Sequence, residues 1–233
     1  MTPEIGLGLL WYVIFVVSLT FHEAAHGLAA WKLGDPTARE AGLVTLDPIA
    51  HIHRSPFGMV IVPAASFLMG GWMIGWASTP YDPYWADRNR KAAALMALAG
   101  PAANLALVLL AAVVIRAGML AGIFAEPQAA TFDHVTSAVS PGMAGGAAVA
   151  VSVLLSLNLI LLVFNLLPLP PLDGSEIISL FLDARTADRY RAMMTQPGAR
   201  IIGLVIAWHV LEFVFDPIHT LCLNLLYPGA GYH

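Results

Sequence analysis

The chain has 233 residues, of which 58% are hydrophobic and only 11% are charged, with a net charge of -4. Soluble domains contain about 25% charged residues, so this composition indicates a membrane protein and excludes a soluble enzyme. The small negative charge, without a basic stripe, excludes a nucleic-acid-binding surface. The single cysteine, Cys222, excludes an internal disulfide framework and a cysteine-rich zinc site.

Four apolar segments are long enough to cross a bilayer, which requires about 20 mostly apolar residues. They predict helices at about 5–31, 92–115, 146–168 and 200–227. The first segment lacks a preceding basic region, so we do not expect it to be a cleavable signal peptide. We therefore predict an all-α polytopic membrane protein in which residues 1–233 form a single membrane-embedded domain.

A fifth apolar stretch, about 57–78, contains Pro63 and the Gly70-Gly71 pair, which disfavour one continuous spanning helix. If this stretch enters the membrane and returns, ten of the 11 Lys and Arg residues share one face and only Arg116 lies on the other. A full crossing would scatter them over both faces. Because positive charge concentrates in cytoplasmic loops, we expect a re-entrant segment at about 57–85 that packs against the helices.

The polar loop after the first helix contains Leu43-Val44-Thr45-Leu46, a β-prone run that predicts a strand. We therefore expect a short membrane-associated β element there. His51 and His53 follow in the same loop. They could bind metal or gate access, but their position beside Arg54 favours a place at the inner membrane interface.

The first predicted helix carries His22, Glu23 and His26 near its inner end. The two histidines are four residues apart, so they share one helical face and can reach one ion. This His-Glu-x-x-His pattern is typical of zinc peptidases, in which the glutamate acts as general base. Ionisable residues are costly in lipid, which favours a functional site. A proton relay or a degenerate site without metal are the alternatives.

Zinc in a catalytic site needs a third protein ligand and keeps one open position. Asp173 is the candidate, because it follows a helix that the prolines of "LPLPPLDG" must end. Gly174 allows the backbone to turn sharply after it. Both helices run inward, so Asp173 is expected at the depth of His26. An ordinary loop turn is the alternative interpretation of Asp-Gly.

Four stretches together resemble the site-2 protease family, and they cover nearly the whole chain. They are "HEAAHG" (22–27), "GDPTAREAGLVTLDPIAHI" (34–52), "ALAGPAANL" (97–105) and "NLLPLPPLDG" (165–174). The resemblance implies one Zn2+ ion per chain on His22, His26 and Asp173, with Glu23 as the catalytic base. It also implies that Asn165 holds the substrate or stabilises the oxyanion. The chain looks like a compact form without a PDZ or CBS module.

The resemblance implies an intramembrane zinc metalloprotease that hydrolyses peptide bonds in or near transmembrane segments, in regulated intramembrane proteolysis. Its partners would be the lipid bilayer and a membrane protein with a single transmembrane segment. We expect a multi-pass protein of a prokaryotic inner membrane with its active site towards the cytoplasm. A catalytically silent homologue that binds membrane helices is the alternative function. A metal transporter is a third, but we find no internal repeat.

Several further polar residues lie in the predicted helices. Asn104 could hydrogen-bond the histidine helix, although close packing at Gly100 is the simpler account. Asn158 is expected to bond a neighbouring helix. The last helix, predicted at about 200–227, carries four polar residues on one face, whose role the sequence leaves open. These four are His209, Glu212, Asp216 and His219. In one interpretation Pro217 ends that helix, and only His209 and Glu212 are deeply placed.

Overall fold

The computed structural model describes residues 5–194, 196 and 198–232, and nearly all regular structure there is helical. The helices are α1 (Ile5–Lys32), α2 (Thr37–Glu40), α3 (Pro48–Arg54), α4 (Val62–Gly70), α5 (Pro83–Arg88), α6 (Arg90–Leu120), α7 (Met143–Leu166), α8 (Gly174–Ile177), α9 (Ala184–Met194) and α10 (Ala199–Leu226). A π-helical turn, Phe57–Ile61, precedes α4, and a 3-10 turn, Ile178–Leu180, follows α8. Two short strands, β1 (Phe124–Ala125) and β2 (Ser137–Ala138), pair antiparallel between α6 and α7.

Four of these helices, α1, α6, α7 and α10, are long and apolar enough to cross a membrane. They begin and end within a few residues of the predicted segments, so the all-α polytopic fold is confirmed. The helices α1, α6 and α7 pack against one another, and α10 packs on α7 from outside with most of its surface exposed. Small residues such as Gly100 and Ala111 allow α6 to approach its neighbours closely.

The segment predicted to be re-entrant forms a hairpin between residues 57 and 82. Its helical arm, Phe57–Gly70, is about 21 Å long at 1.5 Å per residue, which is shorter than the hydrocarbon core. The chain reverses at Gly71, whose positive φ of 74° suits glycine. The second arm returns in extended form, and Trp76 N donates a hydrogen bond to Gly58 O at 3.1 Å. The turn lies where the sequence predicted it, while its depth in the membrane stays a prediction.

One local prediction was wrong. Leu43–Leu46 is a bend and not a strand, because Thr45 Oγ1 accepts from Asp47 N and Asp47 Oδ1 accepts from Ile49 N, which starts α3. Side-chain bonds of this kind compete with strand pairing. Pro217 lies inside the last helix, which continues to Leu226 in agreement with the predicted segment of about 200–227. Prolines are tolerated inside spanning helices where the freed backbone groups find other partners.

Candidate metal centre

The two histidines of α1 direct one ring nitrogen each to the same point between α1 and α6. His22 and His26 are both buried, and their Nε2 atoms lie 2.9 Å apart. Asp173 Oδ2 lies 3.2 Å from His22 Nε2 and 3.3 Å from His26 Nε2. The structure therefore brings Asp173 to the two histidines, from which it is separated by about 150 positions in the sequence. The three side chains form a group that could hold a metal ion.

The end of α7 determines where Asp173 lies. Helix α7 ends at Leu166, and the backbone becomes extended at Leu167 before the proline-rich turn. Asp173 then precedes the first residue of α8, Gly174. A Cβ atom on Gly174 would lie 2.2 Å from Leu167 O and 2.4 Å from Leu166 O. Glycine is therefore required by this close approach to the end of α7, rather than by the sharp turn that the sequence suggested.

The donor set fits a zinc ion. Ligands about 2.0–2.1 Å from a tetrahedral zinc ion lie about 3.3 Å from one another. The distances from Asp173 Oδ2 to the two Nε2 atoms, 3.2 and 3.3 Å, match this value, and the two Nε2 atoms are somewhat closer at 2.9 Å. The Oδ2 atom of Asp173 is buried and accepts no hydrogen bond from any described residue. A Cβ atom on Gly100 would lie 2.3 Å from His26 Nε2, so the glycine leaves room for both imidazoles. Two imidazoles and a carboxylate with space beside them suit a catalytic zinc site with one open position.

The electrostatic surroundings keep Asp173 ionised. Burial acts to raise the pKa of its carboxyl group, because the charged form loses solvation. A protonated His26 imidazole and the contacts with both rings act in the opposite direction and hold the pKa of Asp173 below its ordinary range. A bound cation in place of that proton would act in the same direction. A carboxylate that stays deprotonated is the form that binds metal.

Each histidine is oriented through its second ring nitrogen. Nδ1 of His26 donates to the backbone carbonyl of Met96 at 2.8 Å, and Nδ1 of His22 lies 2.7 Å from Oδ1 of Asn104. Sequence reasoning preferred packing at Gly100 to a hydrogen bond from Asn104, and the structure shows both. A buried amide four residues after Gly100 on the same helix face was the signal for this contact.

A cavity of about 1060 Å³ opens in front of the three ligand atoms. Glu23 is buried in its wall beside the histidines, and Asn165 is half-buried in the same wall. The amide of Asn165 donates to Leu161 O of its own helix at 3.0 Å. The cavity is large enough for a segment of peptide.

The extended arm of the hairpin forms another wall of this cavity, from Ile74 to Thr79. Thr79 Oγ1 donates to the backbone carbonyl of Glu23 at 2.9 Å, which ties the arm to α1. Asp35 accepts a hydrogen bond from Asp82 N at 2.8 Å and so ties the end of the arm to the loop after α1. Extended backbone therefore lies directly beside Glu23.

The helix α9 contributes the polar residues Tyr190 and Arg191 to the wall of the cavity. Arg191 forms ion pairs with Asp87 at 2.7 Å and Glu176 at 2.9 Å. Tyr190 OH donates to the carbonyl of Pro168 in the proline-rich turn at 2.8 Å. These contacts connect α9 to the turn that carries Asp173. Sequence reasoning did not identify them, because the pairing of surface charges depends on the tertiary fold.

Other polar residues considered from the sequence lie elsewhere. His209, Glu212 and Asp216 are exposed on α10, and none of the three contributes to the wall of the large cavity. His219 lies beside Ser156 and borders a smaller cavity of about 280 Å³. His51 is buried on α3, and its Nε2 lies 3.0 Å from Thr45 O in the preceding loop. Asn158 bonds neighbouring helices, as predicted.

The sequence profile of peptidase family M50 matches residues 10–209. A Bacillus subtilis protein named "Putative zinc metalloprotease YwhC" is 35% identical over 195 residues, which cover 83% of this chain and 76% of that protein. Proteins named "Putative zinc metalloprotease Rip2" are 29% identical over 202 residues in Mycolicibacterium smegmatis (87% of this chain, 68% of that protein) and 31% identical over 172 residues in Mycobacterium tuberculosis (74% and 57%). No solved structure matches the chain.

The family match covers most of the chain and includes all four long apolar helices at least in part. The similarity to the protein of Bacillus subtilis extends over most of both sequences. These matches agree with the donor set and with the composition of the helices. The chain therefore belongs to peptidase family M50, the site-2 protease family, and is an integral membrane zinc metallopeptidase.

Proposed function

We propose that this metallopeptidase hydrolyses peptide bonds in or near the transmembrane segments of membrane proteins, with zinc held by His22, His26 and Asp173. The observation that carries this proposal is the convergence of the three ligand atoms on one point beside a cavity between apolar helices. A soluble peptide has no need of such a location, whereas a substrate helix reaches it directly from the bilayer. The position of the site therefore supports this substrate class.

Bound zinc supplies a Lewis acid that polarises the peptide carbonyl and lowers the pKa of water to about 7. Glu23 lies next to His22 in sequence and lines the same cavity, so it is the group that accepts the proton of the attacking water. Water then adds to the carbonyl carbon, the C–N bond breaks, and Glu23 returns the proton to the leaving amine. A general base of this kind contributes about 10²–10⁴-fold to the rate.

Asn165 is assigned the role of holding the substrate or stabilising the oxyanion. Its side chain lines the cavity, and only one of its two amide hydrogens is needed for the bond to Leu161 O. The second hydrogen can therefore donate to the negative charge that develops on the carbonyl oxygen, which is the requirement for an oxyanion donor. This assignment depends on the motif as well as on the location of the residue.

We also propose that the active site faces the cytoplasm of a prokaryotic cell, that residues 57–85 are re-entrant, and that substrates have a single transmembrane segment. The distribution of Lys and Arg supports the orientation, since ten of the 11 lie between the last turn of α1 and the first turn of α6, or between α7 and the first turn of α10. Three arginines that line the cavity, Arg90, Arg191 and Arg200, lie in these two stretches. Water reaches the site from the cytoplasmic side, and the substrate arrives from the lipid.

The test is cleavage of a set of single-pass membrane proteins by the full chain in liposomes, with bound zinc measured on the same samples. The Glu23→Gln variant should keep its zinc and lose at least about 100-fold in cleavage rate. Glu40→Gln is the matched control, because Glu40 is exposed on α2. Equal cleavage by wild type and Glu23→Gln would overturn the mechanism. Cleavage restricted to soluble peptides would overturn the substrate class.

A further inference from the structure

A line of hydrogen bonds leads from His22 across three helices. Asn104 Oδ1 lies 2.7 Å from His22 Nδ1, and Asn104 Nδ2 donates to Asn158 Oδ1 at 2.9 Å. Asn158 Nδ2 in turn donates to Ser18 Oγ at 2.9 Å and to Leu154 O at 2.8 Å. Ser18, Asn104 and Asn158 are all fully buried. Buried amides are costly unless they are hydrogen-bonded, and this line supplies partners for both Asn104 and Asn158.

The direction of every bond in this line is determined by its far end. The Leu154 carbonyl can only accept, so Asn158 must present its Nδ2 to it and its Oδ1 to Asn104. Asn104 must then turn its own Nδ2 to Asn158, which leaves its Oδ1 for His22. Nδ1 of His22 must therefore carry the proton. A backbone carbonyl of α7 thus determines the tautomer of a histidine on α1.

We propose that Asn158 and Ser18 are positioning residues that hold His22 in the tautomer whose Nε2 lone pair points at the zinc, acting through Asn104. The inference rests on the proposed metal site, because only a ligand at Nε2 makes that tautomer necessary. Partners of this kind orient a metal-binding histidine and raise its affinity for the ion. Asn158 therefore affects zinc binding without reaching the metal.

The two histidines differ in this respect. His26 Nδ1 is held by the backbone carbonyl of Met96, which no side-chain substitution removes. His22 Nδ1 depends on two amides and a hydroxyl group, each of which can be replaced. Substitutions along the line should therefore disturb one of the two imidazole ligands and leave the other in place.

Asn158→Asp and Asn158→Leu separate this role from simple packing. Aspartate keeps an oxygen towards Asn104 Nδ2 in either protonation state, so it preserves the direction of the bond to His22. Leucine has a similar size but removes the acceptor. If Asn158 only filled space, leucine would be the milder change, because a buried acid is costlier than an apolar side chain. Asn224→Leu is the matched control, since Asn224 on α10 bonds to the backbone of Tyr232, far from this line of hydrogen bonds along the chain.

The measurement is the zinc affinity of the purified full chain in detergent by chelator competition, together with the visible absorption of the cobalt-substituted protein. Asn158→Leu should weaken zinc binding about 10–100-fold and alter the cobalt bands, as loss of a histidine partner does elsewhere. Asn158→Asp should lie closer to wild type, and Asn224→Leu should match wild type. Equal affinity of Asn158→Leu and wild type, or weaker binding by aspartate than by leucine, would overturn the inference.

A milder pair of substitutions provides the test if the Asn158→Leu variant does not fold. Ser18→Ala removes one acceptor of Asn158, whereas Ser156→Ala removes an equally buried hydroxyl group that faces His219. Zinc binding should weaken in Ser18→Ala only, and equal affinities would overturn the inference. A wild-type chain that binds no zinc would instead refute the proposed function, so the two failures are distinguishable.

Discussion

Gly100→Ala is the smallest change that should empty the metal site. The added Cβ would lie 2.3 Å from His26 Nε2, 2.5 Å from His26 Cε1 and 2.6 Å from His22 Cε1. Alanine favours a helix by about 1 kcal/mol over glycine, so α6 itself should tolerate the change. Any loss of zinc must then come from the contact with the imidazoles.

The expected loss of zinc affinity follows from these distances. Carbon and nitrogen atoms in contact lie about 3.5 Å apart or more, so the His26 ring must move by roughly 1.2 Å. Metal ligands tolerate about 0.2 Å. The ring cannot move freely, because its Nδ1 bonds to Met96 O. We therefore expect zinc affinity to fall by more than about 100-fold, which corresponds to about 2.7 kcal/mol, a larger effect than loss of one histidine partner.

The assay is zinc affinity by chelator competition, with the thermal unfolding midpoint measured on the same samples. Gly118→Ala is the matched control, because it lies on the same helix and its Cβ would lie 2.2 Å from the Phe124 ring. Gly118→Ala should lower stability and keep the zinc, whereas Gly100→Ala should lose the zinc. If Gly100→Ala retains wild-type affinity, the histidines do not bind metal in the observed positions and our reasoning fails.

Three further predictions concern the surroundings of the site. Thr79→Val removes the hydrogen bond from the extended arm to Glu23 O, which is worth about 1 kcal/mol. This variant should cleave several-fold more slowly at unchanged zinc content, and an unchanged cleavage rate would show that the arm needs no such attachment. Burial acts to raise the pKa of Asp35, but bonds from Thr37 and Asp82 hold it below its ordinary value of 3.8. Asp35→Asn should therefore destabilise the protein by about 1–3 kcal/mol at neutral pH. The difference in unfolding free energy between this variant and wild type should shrink as the pH falls below 3.8, and a difference independent of pH would contradict this account. Glu212→Ala should leave zinc binding and cleavage unchanged, because Glu212 is exposed outside the cavity, and reduced activity would reveal a contact with substrate.

The spanning helices and the proximity of His22 to His26 could be predicted because each depends on a local pattern. Twenty apolar residues form a helix in lipid, since no other arrangement satisfies the backbone within one segment. His22 and His26 share a face because of helix periodicity. The turn at Gly71 was predicted for the same kind of reason, because glycine permits its positive φ.

The loop structure and the partners of the site residues depend on contacts that the sequence does not encode locally. The strand predicted at Leu43–Leu46 failed because Thr45 and Asp47 bond to the backbone within that loop. The partnership of Asn104 with His22 requires the exact approach of α6 to α1, which Gly100 permits but does not specify. Motif resemblance pointed to Asp173, but only the fold shows that its oxygen meets both imidazoles.

X-ray absorption at the zinc edge, on the purified full chain, tests the central claim most directly. Our account predicts one zinc ion per chain, with two imidazole nitrogens and one carboxylate oxygen of the protein at about 2.0–2.2 Å, and one imidazole fewer in His26→Ala. Three results would contradict it: a single imidazole ligand in the wild type, a sulfur ligand from Cys222 at about 2.3 Å from the zinc, or an unchanged spectrum in His26→Ala.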